Sequence, residues 1–105
     1  MKRIYISGKI TGVVFEDALE QFALAEKKLC DMGYEVTNPM TIAHEHDKSW
    51  ENYMRLDLKA MLECDSIYML INWEASKGAV IEHNLAKDLG FKIHYQNTKK
   101  RTQTK

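Results

Sequence analysis

The chain has 105 residues, 45% hydrophobic and 29% charged. This is the length of one domain and the balance of an ordinary globular protein, not a mainly disordered one. Five Gly and one Pro exclude collagen-like and low-complexity classes, and fifteen basic residues offset fifteen acidic ones, so no overall basic field points to nucleic acid as a partner.

A first strand is expected over Arg3–Ser7, with Ile4 and Ile6 apolar around Tyr5. Gly8 and Gly12 punctuate the loop that follows. Phe15, Leu19, Phe22, Ala25 and Leu29 recur at three- and four-residue steps and predict a helix over residues 15–32, stopped by Gly33. A second strand over residues 34–37 ends at Asn38-Pro39. Residues 40–49 hold few apolar side chains and read as a loop. A second helix is expected over residues 50–64, capped by Asp47 or Ser49, with Met54, Leu58, Met61 and Leu62 as its buried face. Residues 66–71 are nearly all apolar, as in a central parallel strand. Ser76 and Gly90 bracket a third helix over residues 77–89, with Ile81, Leu85 and Leu89 on one face. A last strand, Lys92–Tyr95, precedes a tail without apolar residues.

That tail, residues 97–105, carries Lys99, Lys100, Arg101 and Lys105 and no acid, which leaves eleven bases against fifteen acids in the body. It reads as a basic, disordered extension of a domain over residues 1–96. Cys30 and Cys64 show no CxxC or Cys/His spacing and fit buried thiols in a reducing cytoplasm. Met1-Lys2-Arg3 is not followed by a signal-peptide core. The longest apolar run, residues 67–71, is too short to span a bilayer, so no membrane association is expected.

Strands alternating with helices predict an α/β fold with a parallel sheet. Right-handed crossovers favour a flavodoxin-like, Rossmann-like three-layer sandwich of about four strands in the order 2-1-3-4. The winding then reverses between strands one and three. The loops at residues 7–12 and 72–78 converge there, where such sheets bind ligands.

In the second loop, Ser76 caps a helix whose free N–H groups suit an anion. Gly78 leaves the backbone open to approach. Glu82 lies one turn deeper on the same face, where the positive helix end favours its ionised form as a nucleophile or base. The plainer reading makes Ser76 only a cap and Glu82 a solvated acid. Asp57 falls within the apolar stripe of the second helix, where a charge needs a partner or a task. Tyr5 suits either strand packing or the cleft. His44-Glu45-His46-Asp47 offers ligand types for a metal, but no distant third ligand is evident and a solvated loop is favoured. His83 is expected at the surface. Trp50 and Tyr53 either line the cleft or anchor the second helix.

Tyr5-Ile6-Ser7-Gly8-Lys9-Ile10-Thr11-Gly12, then Asp57, Cys64-Asp65, Ser76-x-Gly78-x-x-x-Glu82 and Ala86, resembles the nucleoside 2-deoxyribosyltransferase superfamily. Within it the likeness is greatest to the 2'-deoxynucleoside 5'-monophosphate N-glycosidases and a small related domain family of unknown function. It extends over about residues 3–95. The resemblance implies that Glu82 is a nucleophile attacking the anomeric carbon through a glycosyl-enzyme ester, the retaining logic of two-step glycoside cleavage. It implies that Asp57 assists the leaving base, that Tyr5 holds Glu82, and that Ser76 binds a 5'-phosphate. Ser7, Gly8, Ile10, Gly12 and Gly78 would border the sugar and phosphate with Ser76. It also implies a nucleoside or nucleotide substrate, no metal or organic cofactor, and a homo-oligomer. Thr11 stands where the glycosidases often have Arg, Asn84 replaces a Gly, and the chain ends soon after the fourth strand.

The expected function is therefore cleavage or transfer at the N-glycosidic bond of a 2'-deoxynucleoside or its 5'-monophosphate. The alternative is a non-catalytic nucleotide-binding module that senses or sequesters its ligand. A third reading is an interaction protein using the basic tail on nucleic acid.

Overall fold

The computed structural model describes residues 2–42 and 49–96. The His44-Glu45-His46-Asp47 run and the basic tail lie outside the described residues. Four strands, β1 (Arg3–Ser7), β2 (Glu35–Thr37), β3 (Ser66–Met69) and β4 (Lys92–Tyr95), form one parallel sheet in the order β2-β1-β3-β4. The α/β arrangement and strand order expected from the sequence are those observed. Three helices connect the strands: α1 (Phe15–Asp31), α2 (Trp50–Met61) and α3 (Lys77–Asp88). Short 3-10 turns at Pro39–Thr41 and Trp73–Ala75 lie in what the sequence presents as loops. Among the described residues no helix is long and apolar enough to cross a membrane.

The period-two alternation of a strand divides the core into two layers. Ile4 and Ile6 of β1, Tyr68 of β3 and the adjoining Leu70 meet Phe22, Ala25 and Leu29 of α1 on one face of the sheet. Tyr5, Ile67 and Met69 point the other way, onto Met61 of α2 and Ala79 and Ala86 of α3. Burial of each large apolar side chain contributes on the order of 1.5–3 kcal/mol.

The helix faces depart from the expected stripes. In α1 the buried residues are Ala18, Phe22, Ala25 and Leu29, while Phe15 and Leu19 are exposed. α2 buries Met54, Asp57 and Met61. It ends at Met61, so Leu62 at the C-cap stays exposed. α3 buries Ala79, Glu82 and Ala86, whereas Ile81 and Leu89 are exposed. Leu85 packs at the margin of the second core layer. The α3 stripe is thus rotated by one residue, about 100°, from the apolar one. Cys64 is buried, but Cys30 is exposed, since it follows Leu29 off the buried stripe of α1.

Candidate active site

The site begins with a packing choice in α3. Ala79 and Ala86 bring the helix close to the sheet, and Glu82 lies between them on the same face. Glu82 is 4% exposed. On β1, Tyr5 and Ser7 are two residues apart, so both side chains leave the strand towards α3. The Tyr5 hydroxyl donates to Glu82 Oε2 at 2.9 Å, and the Ser7 hydroxyl donates to Oε1 at 2.6 Å. Each carboxylate oxygen therefore has its own donor.

Burial is the main influence on Glu82 and pushes its pKa up to about 7; the Ser7 and Tyr5 hydrogen bonds pull it down, and the charge of Asp57 adds to the rise. The helix end, expected from the sequence to hold Glu82 ionised, does not outweigh burial at this depth. Glu82 is the sixth residue of α3, and the dipole acts mainly within the first turn. Nor is Glu82 a solvated cleft acid: desolvation decides its state. Burial, reinforced by the charges of Glu82 and Asp57, holds the Tyr5 phenol well above its ordinary range, so Tyr5 remains a proton donor.

Above this carboxyl lies a cleft lined by residues from four parts of the chain. β1 and the loop after it supply Tyr5, Ile6, Gly8, Ile10 and Thr11. α2 supplies Trp50, Tyr53, Met54 and Asp57, α3 and its cap supply Ser76, Gly78, Ala79 and Glu82, and Pro39 comes from the 3-10 turn after β2. Asp57 is 9% exposed, on the stripe with Met54 and Met61.

Close backbone contacts set the shape of the cleft. A Cβ on Gly8 would stand 2.6–2.9 Å from three side-chain atoms of Leu70, so only glycine fits where the chain leaves β1 beside the end of β3. A Cβ on Gly78 would meet Met54 Sδ at 2.9 Å. What approaches the Gly78 backbone is thus α2 itself, which allows the start of α3 to close against it. The two loops are tied together: the Lys9 backbone N–H donates to Asn72 Oδ1 at 3.1 Å, and Lys9 Nζ donates to the Ala75 carbonyl at 3.2 Å.

The Ser76 hydroxyl accepts from the Ala79 N–H at 3.1 Å, the helix-capping bond. Its own proton remains available to a ligand. Outside it a second recess is lined by Lys9, Thr11, Trp50, Glu51, Ala75, Ser76, Lys77 and Gly78. Lys77 Nζ lies 4.5 Å from the centroid of a Trp50 ring.

Of the residues singled out in the sequence, Glu82, Asp57, Tyr5, Gly8, Ile10, Ser76 and Gly78 come together in this cleft. Ser7 does not line it; its hydroxyl is turned to Glu82. Gly12, at φ 85°, shapes the loop and is not a lining residue either. Trp50 and Tyr53 do line the cleft. His83 lies outside it, stacked on Trp73 with ring centroids 4.2 Å apart and hydrogen-bonded to the Tyr95 hydroxyl at 2.8 Å. Pro39, Met54 and Ala79 had no mark in the sequence as cleft residues. The Asn38-Pro39 pair is the one local signal, since the Asn38 side chain accepts from the Met40 N–H and turns Pro39 inward.

The model for Domain of unknown function (DUF4406) matches residues 2–95. The chain belongs to this family. No protein of curated function matches it. Among solved structures it is similar to a 2-deoxyribosyltransferase from the psychrotolerant bacterium Bacillus psychrosaccharolyticus, with a TM-score of 0.65 and 22% sequence identity. The likeness covers 89% of this chain and 70% of that one. At that identity the match establishes a shared fold.

Proposed function

We propose that the protein cleaves or transfers at the N-glycosidic bond of a 2'-deoxynucleoside or its 5'-monophosphate. The observation that carries this reading is the Glu82 carboxylate, buried beneath the cleft with one hydroxyl donor on each oxygen and a second acid, Asp57, in the same lining. The fold shared with a 2-deoxyribosyltransferase supports it.

In the first step a Glu82 oxygen bonds to C1' of the sugar and the C1'–N bond breaks. The bonding pair leaves with the base, and Asp57 supplies its proton. In the second step water, or a second base, attacks C1' and releases the Glu82 carboxylate. The acceptor, water or the ring N–H of the second base, gives its proton back to Asp57. Such a double displacement retains configuration at C1'. Trp50 and Tyr53 supply flat apolar walls suited to a base. Ser76, Lys9 and Lys77, around the adjoining recess, suit a 5'-phosphate through a hydroxyl donor, two cations and the start of a helix.

Chromatography of free bases released from a panel of nucleosides and 5'-monophosphates, ribose and deoxyribose, tests the reading. The expected result is release by the wild-type chain and its loss in Glu82→Gln. No release from any substrate by folded protein, with a ligand-dependent rise in melting temperature, would replace this reading with a non-catalytic nucleotide-binding module.

A further inference from the structure

The Ser7 side chain stands apart from the other polar groups near the cleft. It is 1% exposed, does not line the cavity, and directs its proton at Glu82 Oε1. At 2.6 Å that bond falls in the range of charge-assisted O–H···O⁻ contacts. Tyr5 serves the other oxygen from the same strand face. The remaining surroundings offer the carboxylate little help. Among the described residues, the titratable groups facing it are Tyr5 from β1 and Asp57 from α2, and the Asp57 charge opposes ionisation. β3 presents the apolar Ile67 and Met69 to this layer, and α3 presents Ala79 and Ala86. Among the described residues no Lys or Arg lines the cleft.

We infer that Ser7 is a positioning residue: its hydroxyl fixes Oε1 of Glu82 and favours the charged carboxylate. The Ser7 bond is the largest influence opposing the burial of Glu82, ahead of that from Tyr5. The link to turnover rests on the nucleophilic role proposed for Glu82; the link to its charge does not. A hydrogen bond to a charged group moves a titration midpoint by roughly one to two pH units.

The test is a carbon-13 NMR titration of the full chain labelled at glutamate Cδ, with the Glu82 signal assigned by its loss in Glu82→Gln. In Ser7→Ala the Glu82 midpoint is expected about one pH unit above wild type. In Ser7→Cys, whose thiol is a weak donor, it is expected between the two. The cysteine variant carries the comparison if the alanine variant does not fold. A midpoint unchanged from wild type would overturn the inference.

In the base-release assay, Ser7→Ala should lower kcat about five-fold at pH 7, leave KM nearly unchanged, and recover towards wild type at pH 9. A loss of the same size at pH 7 and pH 9 would overturn the charge-favouring role and leave a packing one. The titration needs no turnover. Absence of any base release would therefore remove the proposed function while the Ser7 inference is still decided by the midpoint.

Discussion

At the scale of the residue, Glu82 is held between two opposing demands. Burial favours its neutral form, and the Ser7 and Tyr5 hydroxyls favour the carboxylate, with a balance at about pH 7. A nucleophile must be ionised, so base release is expected to rise as pH increases through about 7. A rate that stays flat from pH 5 to pH 8 would contradict the assignment.

The same balance governs stability, with the opposite sign. Between about 4.5 and about 7 the folded chain holds a proton on Glu82 that the unfolded chain has lost. Stability therefore falls as pH rises across this window, by roughly 3 kcal/mol from this group at most. Glu82→Gln removes the ionisation. Its melting temperature should exceed that of wild type more at pH 8 than at pH 5, and a gap independent of pH would count against the burial argument. The importance of Glu82 was legible from its spacing after Ser76 and Gly78 and from the family resemblance. Its protonation was not, because desolvation depends on how closely α3 approaches the sheet, which helical spacing does not encode.

At the scale of the element, the start of α3 has a structural task and a proposed functional one in the same residue. Ser76 caps the helix through the Ala79 N–H and borders the recess with Lys9 and Lys77. Ser76→Ala should destabilise the fold by about 1 kcal/mol, read in a urea midpoint. It should also raise KM for 5'-monophosphates more than for the matching nucleosides. Equal effects on both substrate classes would leave Ser76 as a cap alone.

Element boundaries were well marked where turn residues were strong: β1, β4 and the starts of all three helices lie where the sequence puts them. Helix faces were less legible. In α3 the large residues Ile81, Leu85 and Leu89 suggest a buried stripe, yet the helix packs through Ala79 and Ala86, because small side chains let it draw near enough for Glu82 to reach β1. Asp57 was legible for the converse reason. A lone acid amid Met54, Leu58 and Met61 is conspicuous in an apolar stripe, and the structure buries it there.

At the scale of the whole molecule, strand order makes the site. Placing β1 beside β3 joins the loop after Ser7 to the loop after Met69, and the Lys9–Asn72 bond fastens them. This convergence was legible because alternating strands and helices with right-handed crossovers leave few parallel topologies. The cleft wall of Trp50, Tyr53 and Met54, and Pro39 beside it, was less so, since it depends on how α2 rests against the start of α3. Gly78 permits that contact, and nothing in its local sequence names Met54 as the partner.

The nucleophilic role of Glu82 is tested by acid quenching during turnover of a 2'-deoxynucleoside 5'-monophosphate, followed by mass mapping of the peptides. The predicted result is a deoxyribosyl-phosphate adduct on the peptide carrying Glu82, absent in Glu82→Gln. Base release by the wild-type chain with Glu82 unmodified, or full-rate release by Glu82→Gln, would contradict it.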